Sequence, residues 1–332
     1  MKILVTGGAG YIGSHMIKCL RDAGREVVVV DDLSSGHAEV VPKGVPLVVA
    51  DVGDMPAMTR VLVEHRVDEI VHFAAKIQVG ESVTDPRVYW RGNVSATTRL
   101  LESALDSGVK RFILSSTAAV YGTPTRVPIV ESDPTVPINP YGETKLAIEH
   151  MLAAYARAYD FRYCALRYFN AAGADPASGL GERHDPETHL VPLVLDAALG
   201  RRGHVSVFGR DYDTPDGTCI RDYIHVADLA AAHLAALEYL AGGGASGSFN
   251  LGTGTGHSVA EVIEACRRVT GREIPVVEGP RRAGDPASLV ASPALAEAKL
   301  GWRATRSDLV SIVEDAWTAR QSLVHREDAP GK

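Results

Sequence analysis

Tyr141 and Lys145, in the segment YGETK that follows Asn139 and Pro140, are a pair whose types and spacing can do chemistry. Four residues apart on a helix, they share one face. A free phenol loses its proton near pH 10, and an adjacent ammonium favours the phenolate, so the pair can act as a general base toward an alcohol. Ser115, Ser116 and Thr117 close an apolar run upstream, and their hydroxyls can hydrogen-bond a substrate oxygen and relay its proton. A Tyr-x-x-x-Lys spacing alone also describes an ordinary surface pair. Its position after a fifth strand-like run gives it weight.

The second constellation is ILVTGGAGYIGSHM near the start of the chain, with Gly7, Gly10 and Gly13 between a strand pattern and a helix pattern. Glycines there allow a tight turn, close approach of backbone to a pyrophosphate, and close helix–strand packing. The helix N-terminus then offers free N–H groups to the phosphates. The next apolar run ends in VVVVDD, which places Asp31 18 residues after Gly13, where a carboxylate accepts from both ribose hydroxyls and repels a 2′-phosphate. No Lys or Arg lies between Asp31 and Val41, so NAD is expected rather than NADP. Its positively charged nicotinamide ring would favour the phenolate further. Asp32 reads equally as a turn residue, and Asp51 either meets the adenine edge or caps the next helix.

The elements that must position these groups follow from periodicity. Strands are expected at Lys2–Thr6, Glu26–Val30, Pro46–Val49, Glu69–Phe73, Arg111–Ser115 and Tyr163–Arg167, with helices near Tyr11–Asp22, Asp54–His65, Val88–Ser107 and Tyr141–Tyr159. Alternation of this kind predicts an α/β protein, a Rossmann-type doubly wound parallel sheet. Residues 1–170 form the expected NAD-binding domain. Residues 171–332 form a smaller mixed α/β C-terminal substrate domain, some of whose segments return to the main sheet. In it, Ala171–Pro192 reads as a long functional loop. Helices are expected near Leu190–Gly200, His225–Leu240, Ser258–Thr270 and Ser307–Ser322, and strands near His204–Phe208, Gly247–Leu251 and Ile274–Glu278. Gly242–Gly247 reads as a surface loop and Glu327–Lys332 as a frayed tail.

Composition narrows the classes of partner. The chain has 332 residues, 45% hydrophobic and 23% charged, with a formal net charge of −7 and no Lys/Arg block, which argues against nucleic acid and anionic membranes. No segment approaches the roughly 18 apolar residues of a membrane span, and no signal peptide is read, so a cytoplasmic protein is expected. Cys19, Cys164, Cys219 and Cys266 are scattered, as reduced thiols would be, and no metal site is expected. His72, inside an apolar run, reads as a satisfied core histidine.

GGAGYIGSH, HFAA followed by VGES, SSTAAVYG, PYGETK, RYFNAAGA and RDYIHVADLA occur in that order over almost the whole chain. Together they resemble the UDP-glucose 4-epimerases of the extended short-chain dehydrogenase/reductase family. The resemblance implies an NAD that is held and not consumed, with Tyr141 taking the proton of the sugar 4-hydroxyl as hydride leaves carbon 4. The 4-keto sugar then turns over and receives hydride on its other face. Lys145 would lower the Tyr141 pKa and hold the nicotinamide ribose; Thr117, where many relatives carry Ser, would bridge Tyr141 and the sugar oxygen.

The NAD site implied comprises Gly7, Gly10, Tyr11, Ile12, Gly13, Asp31, Asp32, Leu33, Ser34, Ser35, Gly36, Asp51, Val52, Phe73, Ala74, Ala75, Lys76, Asn93, Ser115, Tyr141, Lys145, Tyr168 and Phe169. Thr117, Tyr141, Asn170, His189, Phe208, Arg221, Tyr223, Arg282, Asp285 and Leu289 would hold the UDP-sugar, the guanidinium forks suiting a diphosphate. The chain departs from many relatives in placing its basic residue one position early, at Lys76, and in carrying His189 for asparagine. Leu289 stands where sugar bulk is limited. A homodimer is implied, paired through helices near Val94–Ser107 and Tyr141–Tyr159. Ala118 and Ala119 follow Thr117 with no Asp or Glu before Tyr121, which argues against the dehydratases and decarboxylases of the superfamily. Epimerases of UDP-glucuronate, UDP-xylose or UDP-N-acetylglucosamine share this chemistry, and a non-catalytic NAD sensor is the reading from another class.

Overall fold

Short β-branched runs that are apolar on both sides can be satisfied only between two helical layers. The segment EVVVVD shows this: five of its six residues are buried. A computed structural model describes residues 2–282 and 285–327 of the chain. The expected frayed tail lies outside the described residues from 328 onward.

Strands β1 (Lys2–Thr6), β2 (Glu26–Asp31), β3 (Leu47–Val49), β4 (Val67–His72), β5 (Arg111–Thr117) and β6 (Arg162–Tyr168) belong to one seven-stranded sheet. The strands β7 (Asn170–Ala172), β8 (Val205–Phe208), β9 (Ile220–Arg221) and β10 (Tyr223–His225) lie outside it, and β11 (Gly247–Leu251) returns to it beside β6. The order is β11-β6-β5-β4-β1-β2-β3, parallel throughout. Reversal of strand order about β1 and β4 is the geometry that opens a crevice at the carboxyl ends of the strands.

Helices α1 (Tyr11–Asp22), α2 (Met55–His65), α3 (Val79–Thr84), α4 (Pro86–Tyr89), α5 (Ala96–Asp106), α6 (Pro140–Ala158), α7 (Leu190–Ala198) and α8 (Val226–Ala241) follow in order. Ile3, Val5, Val27 and Val29 pack against Met16 and Leu20 of α1 and Leu229 and Leu237 of α8. Leu4, Val28 and Val30 face the other way, onto Met58 of α2, Leu100 of α5 and Ile148 of α6. Alternate residues of one strand thus anchor opposite layers, as the period of two requires.

A third core joins α7, α9 (Val259–Thr270) and α11 (Leu309–Glu327) around the parallel pair β8 and β13 (Val276–Gly279). Small sheets complete this half: β7 with β10, and β9 between β12 (His257–Ser258) and β14 (Ser288–Leu289), with α10 (Ala294–Leu300) beyond. Among the described residues no helix is long and apolar enough to cross a membrane, and all four cysteines are free.

Two expectations differ from the structure. The helix near Val88–Ser107 is broken into α4, a π-helical turn at Trp90–Ser95 and α5. The wider turn carries buried Asn93 and is a recurrent feature of functional sites. The loop Ala171–Pro192 is shorter, because β7 occupies its start and α7 begins at Leu190.

His72 sits between the hydroxyls of Thr6, at 2.7 Å, and Thr97, at 2.9 Å. His15 and His233 donate from Nδ1 to the carbonyls of Tyr11 and Leu229 four residues back, each at 2.8 Å. Burial holds all three neutral, pushing His72 down to about 3 and the other two to about 4. Their contribution to stability is complete above pH ~6.5, the unfolded value, and is lost as pH falls toward those folded values. The loss is on the order of 2 kcal/mol per ring by pH ~5. Urea unfolding midpoints should therefore fall between about pH 7 and pH 5; an unchanged midpoint would contradict the assignment.

Candidate functional site

The glycine turn lies between β1 and α1, and space forces its composition. Gly7 has φ +70°, and a Cβ there would stand 2.6 Å from the Ala74 amide nitrogen; one on Gly13 would stand 2.2 Å from the Gly7 carbonyl oxygen. Gly10 caps α1 with no side-chain acceptor, which leaves the first-turn N–H groups at Tyr11, Ile12 and Gly13 to meet an anion.

Asp31 is buried at the end of β2 and accepts from the amides of Ala9 and Leu33, each at 2.9 Å. Burial raises its pKa, against the pull of those two amides. Leu33 adopts φ +58° to complete this turn, and Gly36 packs so close that a Cβ would meet Asp31 Oδ1 at 2.8 Å. Asp32 faces away and is used locally, accepting from the Ser34 amide at 2.9 Å and its hydroxyl at 2.7 Å. Ser35 is exposed. Asp51 binds the Gly53 amide at 2.7 Å, while Asp54 caps α2 through the Ala57 amide. The cap is therefore Asp54, which leaves the Asp51 side chain exposed beside buried Val52.

Beyond β4, the Phe73 ring lies 4.8 Å from that of His233, and Ala74 and Ala75 are half-buried. Lys76 is fixed by its backbone: its amide donates to Asn93 Oδ1 at 2.8 Å and its carbonyl accepts from Asn93 Nδ2 at 3.0 Å. Asn93 also donates to the Thr144 hydroxyl at 3.1 Å. The π-helical turn thus ties the segment after β4 to α6.

Helix α6 begins at Pro140 because the Asn139 side chain accepts from the Gly142 amide at 2.9 Å. A Cβ on Gly142 would lie 2.6 Å from the Ala119 carbonyl, so this helix start is pressed onto the turn after β5. Tyr141 is brought to Thr117 in this way. Burial pushes the Tyr141 phenol up to about 12, and a hydrogen bond with Thr117 works against it.

Lys145, one turn on, donates to the Ser115 carbonyl at 2.8 Å. Burial drives its ammonium down to about 8, opposed by Glu149. The ammonium gives up its proton more readily than a free lysine and is engaged by a carbonyl. Ser115 Oγ is hydrogen-bonded to the Tyr168 hydroxyl, whose pKa burial raises strongly. Phe169 packs with Leu289 against Val120, Tyr121 and Ile129.

Underneath lies a polar network that sequence reasoning missed. Glu149 of α6 accepts from Ser116 Oγ at 2.5 Å, Ser248 Oγ at 3.1 Å and the Arg167 guanidinium at 2.5–3.2 Å. Arg167 also donates to Tyr121, which donates to Asn250 of β11 at 2.7 Å. The available signal was spacing: Tyr141, Lys145 and Glu149 recur every four residues along one helix face.

The second half contributes separate groupings. Arg221 pairs with Asp285 and donates to the Ile220 carbonyl at 2.7 Å, while Arg282 lies over the Phe208 ring at 4.2 Å. Asn170 donates to the Asp222 carbonyl at 3.2 Å. Tyr223 is buried against the core around α7 and α9, with its phenol near enough to Arg221 and Asp285 to feel their charges. His189 is not free either. It meets Glu182 and Glu187, which hold it up at about 10 against the effect of burial. These three and His184 form a cluster of potential metal ligands among the described residues, which the sequence did not show because a loop without periodicity gives no face to read.

A family model described as the NAD dependent epimerase/dehydratase family matches residues 3–252. The UDP-glucose 4-epimerase of Halalkalibacterium halodurans is 53% identical over 325 residues, covering 98% of this chain and 97% of the relative. A Brucella ovis UDP-glucose 4-epimerase solved in complex with NAD superposes with a TM-score of 0.93 at 50% identity, covering 95% of this chain and 97% of that one. The Bifidobacterium longum enzyme solved with NAD+ and UDP gives 0.91 at 38% identity, covering 97% and 98%. This chain belongs to the NAD-dependent epimerase/dehydratase family, among its UDP-glucose 4-epimerases.

Proposed function

We infer that this protein interconverts UDP-glucose and UDP-galactose at sugar carbon 4, through a 4-keto sugar, with NAD as its resident cofactor. The observation that carries the reading is the meeting of Thr117 and Tyr141 at the carboxyl end of β5, with buried Ala118 following Thr117 in place of an acid. The residues present fit NAD. Gly7 and Gly13 leave the space a Cβ would fill, the first turn of α1 has no side-chain cap, and Asp31 stands at the end of β2.

When bound, NAD supplies the acceptor and donor of hydride and a positive ring. Asp31 receives the ribose hydroxyls, and the amides of α1 receive the pyrophosphate. Tyr141 takes the proton of the sugar 4-hydroxyl, and Thr117 holds that oxygen in place. Lys145 keeps positive charge beside the phenol. Arg221 and Arg282 meet the diphosphate of the substrate, and Leu289 with Phe169 bounds the sugar.

A homodimer paired through α5 and α6 and a cytoplasmic location complete the proposal. Tyr155 and Tyr159 of this surface stack edge to face at 5.7 Å, with Tyr159 largely exposed. The test is a panel of UDP-galactose, UDP-N-acetylglucosamine, UDP-glucuronate and UDP-xylose given to the purified protein. UDP-galactose should run to UDP-glucose, denatured protein should release one NAD per chain, and sedimentation equilibrium should give two chains. Turnover of another sugar with none of UDP-galactose would overturn the reading.

A further inference from the structure

Glu182, His184, Glu187 and His189 lie in the stretch between β7 and α7, and their ligand atoms all fall within 4.8 Å of one another. His184 Nδ1 is 3.2 Å from Glu182 Oε1 and 3.7 Å from Glu187 Oε1. His189 Nδ1 approaches the same two oxygens at 2.5 and 3.5 Å. Both carboxylate side chains are only 7% exposed. Two negative charges so far removed from water need compensation close by. Arg183, although adjacent in sequence, turns to Glu39 instead.

The directions of these atoms say more than their distances. Glu182 Oε1, His184 Nδ1 and Glu187 Oε2 are buried and have no hydrogen-bond partner among the described residues, despite their close neighbours. Lone pairs that do not point at one another's protons can still point at a common centre. Glu187 is held for this by its other oxygen, which accepts from the amides of Thr188 at 2.8 Å and His189 at 3.0 Å. Four donors at 2.0–2.2 Å around a tetrahedral ion stand about 3.4 Å apart. The 3.2 Å edge from His184 Nδ1 to Glu182 Oε1 lies close to that value, whereas His189 Nδ1, 2.5 Å from Glu182 Oε1, must swing outward as the ion enters. Two imidazoles and two carboxylates without a thiolate suit zinc and neighbouring first-row ions better than calcium or magnesium.

We propose that Glu182, His184, Glu187 and His189 bind one tetrahedral divalent cation of the zinc class, which clamps the segment between β7 and α7. This goes beyond the epimerase reading and does not rest on it. The clamp completes ties already present on that segment. The Tyr11 hydroxyl donates to the Gly173 carbonyl at 2.6 Å, His37 Nε2 reaches the Arg183 carbonyl at 3.2 Å, and the His184 ring meets Tyr11 edge-on at 6.3 Å. All four ligands come from one short stretch, so the loop the ion must close is small and its entropy cost is low.

The test uses untagged, NAD-containing protein stripped with a chelator and titrated with Co2+ as an optical probe. Tetrahedral ligand-field bands should appear and saturate at one ion per chain, and Zn2+ should displace them. Zn2+ should also slow proteolysis within residues 171–190 by about tenfold or more, following the population of the open form. His184→Asn and Glu182→Gln, made separately and checked for native circular dichroism and bound NAD, should each weaken binding at least about tenfold. If one variant fails to fold, the other carries the test. Absence of saturable bands in stripped wild-type protein overturns the proposal, as it would if the imidazoles were simply protonated partners of the carboxylates. A folded variant with wild-type affinity overturns it equally.

Discussion

Tyr141→Phe is expected to lower kcat by about 10³-fold, within the 10²–10⁴ range of a lost general acid–base, and to leave bound NAD unchanged. In barrier terms this is roughly 4 kcal/mol. The phenol is the group that α6 brings to Thr117, and burial has already pushed it up to about 12 in the protein alone. Positive charge from bound NAD and from Lys145 is needed to bring it within reach of neutral pH. The substitution removes one oxygen and keeps the ring, so substrate affinity should change little. NAD content after denaturation and the KM for UDP-galactose separate loss of chemistry from loss of binding. A variant as active as the parent would remove Tyr141 from the mechanism.

Arg167→Met should cost stability rather than chemistry, by about 3–5 kcal/mol. The guanidinium and the Glu149 carboxylate are 8% and 4% exposed, and the arginine also holds the Tyr121 hydroxyl. Removing it leaves the buried carboxylate without its ion-pair partner, with the hydroxyls of Ser116 and Ser248 and the charge of Lys145 remaining. The double variant Glu149→Gln with Arg167→Met should recover part of the loss, because the unpaired buried carboxylate is gone. Urea unfolding of the single and double variants measures this. Equal stability of wild type and Arg167→Met would show that the pair contributes nothing net.

The centre of the sheet was legible because β1 and β2 are buried on both faces and read as unbroken apolar runs. The glycine turn and the Tyr141–Lys145 pair were legible because each is local, set by spacing within one turn or one helix. What escaped is what distant residues decide. The π-helical turn depends on Asn93 reaching Lys76 and Thr144. Strands as short as β9 and β14 exist only through each other and β12, and two residues carry no pattern of their own. Glu149 and Arg167 sit on different elements, and the Glu182–His189 cluster lies where the chain has no period.

β11 has a consequence for how the chain is made. Its backbone covers the outer edge of β6, the last strand of the N-terminal half, so that half alone exposes a row of unpaired amides and carbonyls. During synthesis this edge stays open from the emergence of Tyr168 until that of Leu251, on the order of ten seconds at ordinary ribosomal speeds. A nascent chain stalled in that interval presents a sticky strand to its neighbours. Gene fragments ending near residue 170 should accordingly aggregate rather than yield a free NAD-binding unit.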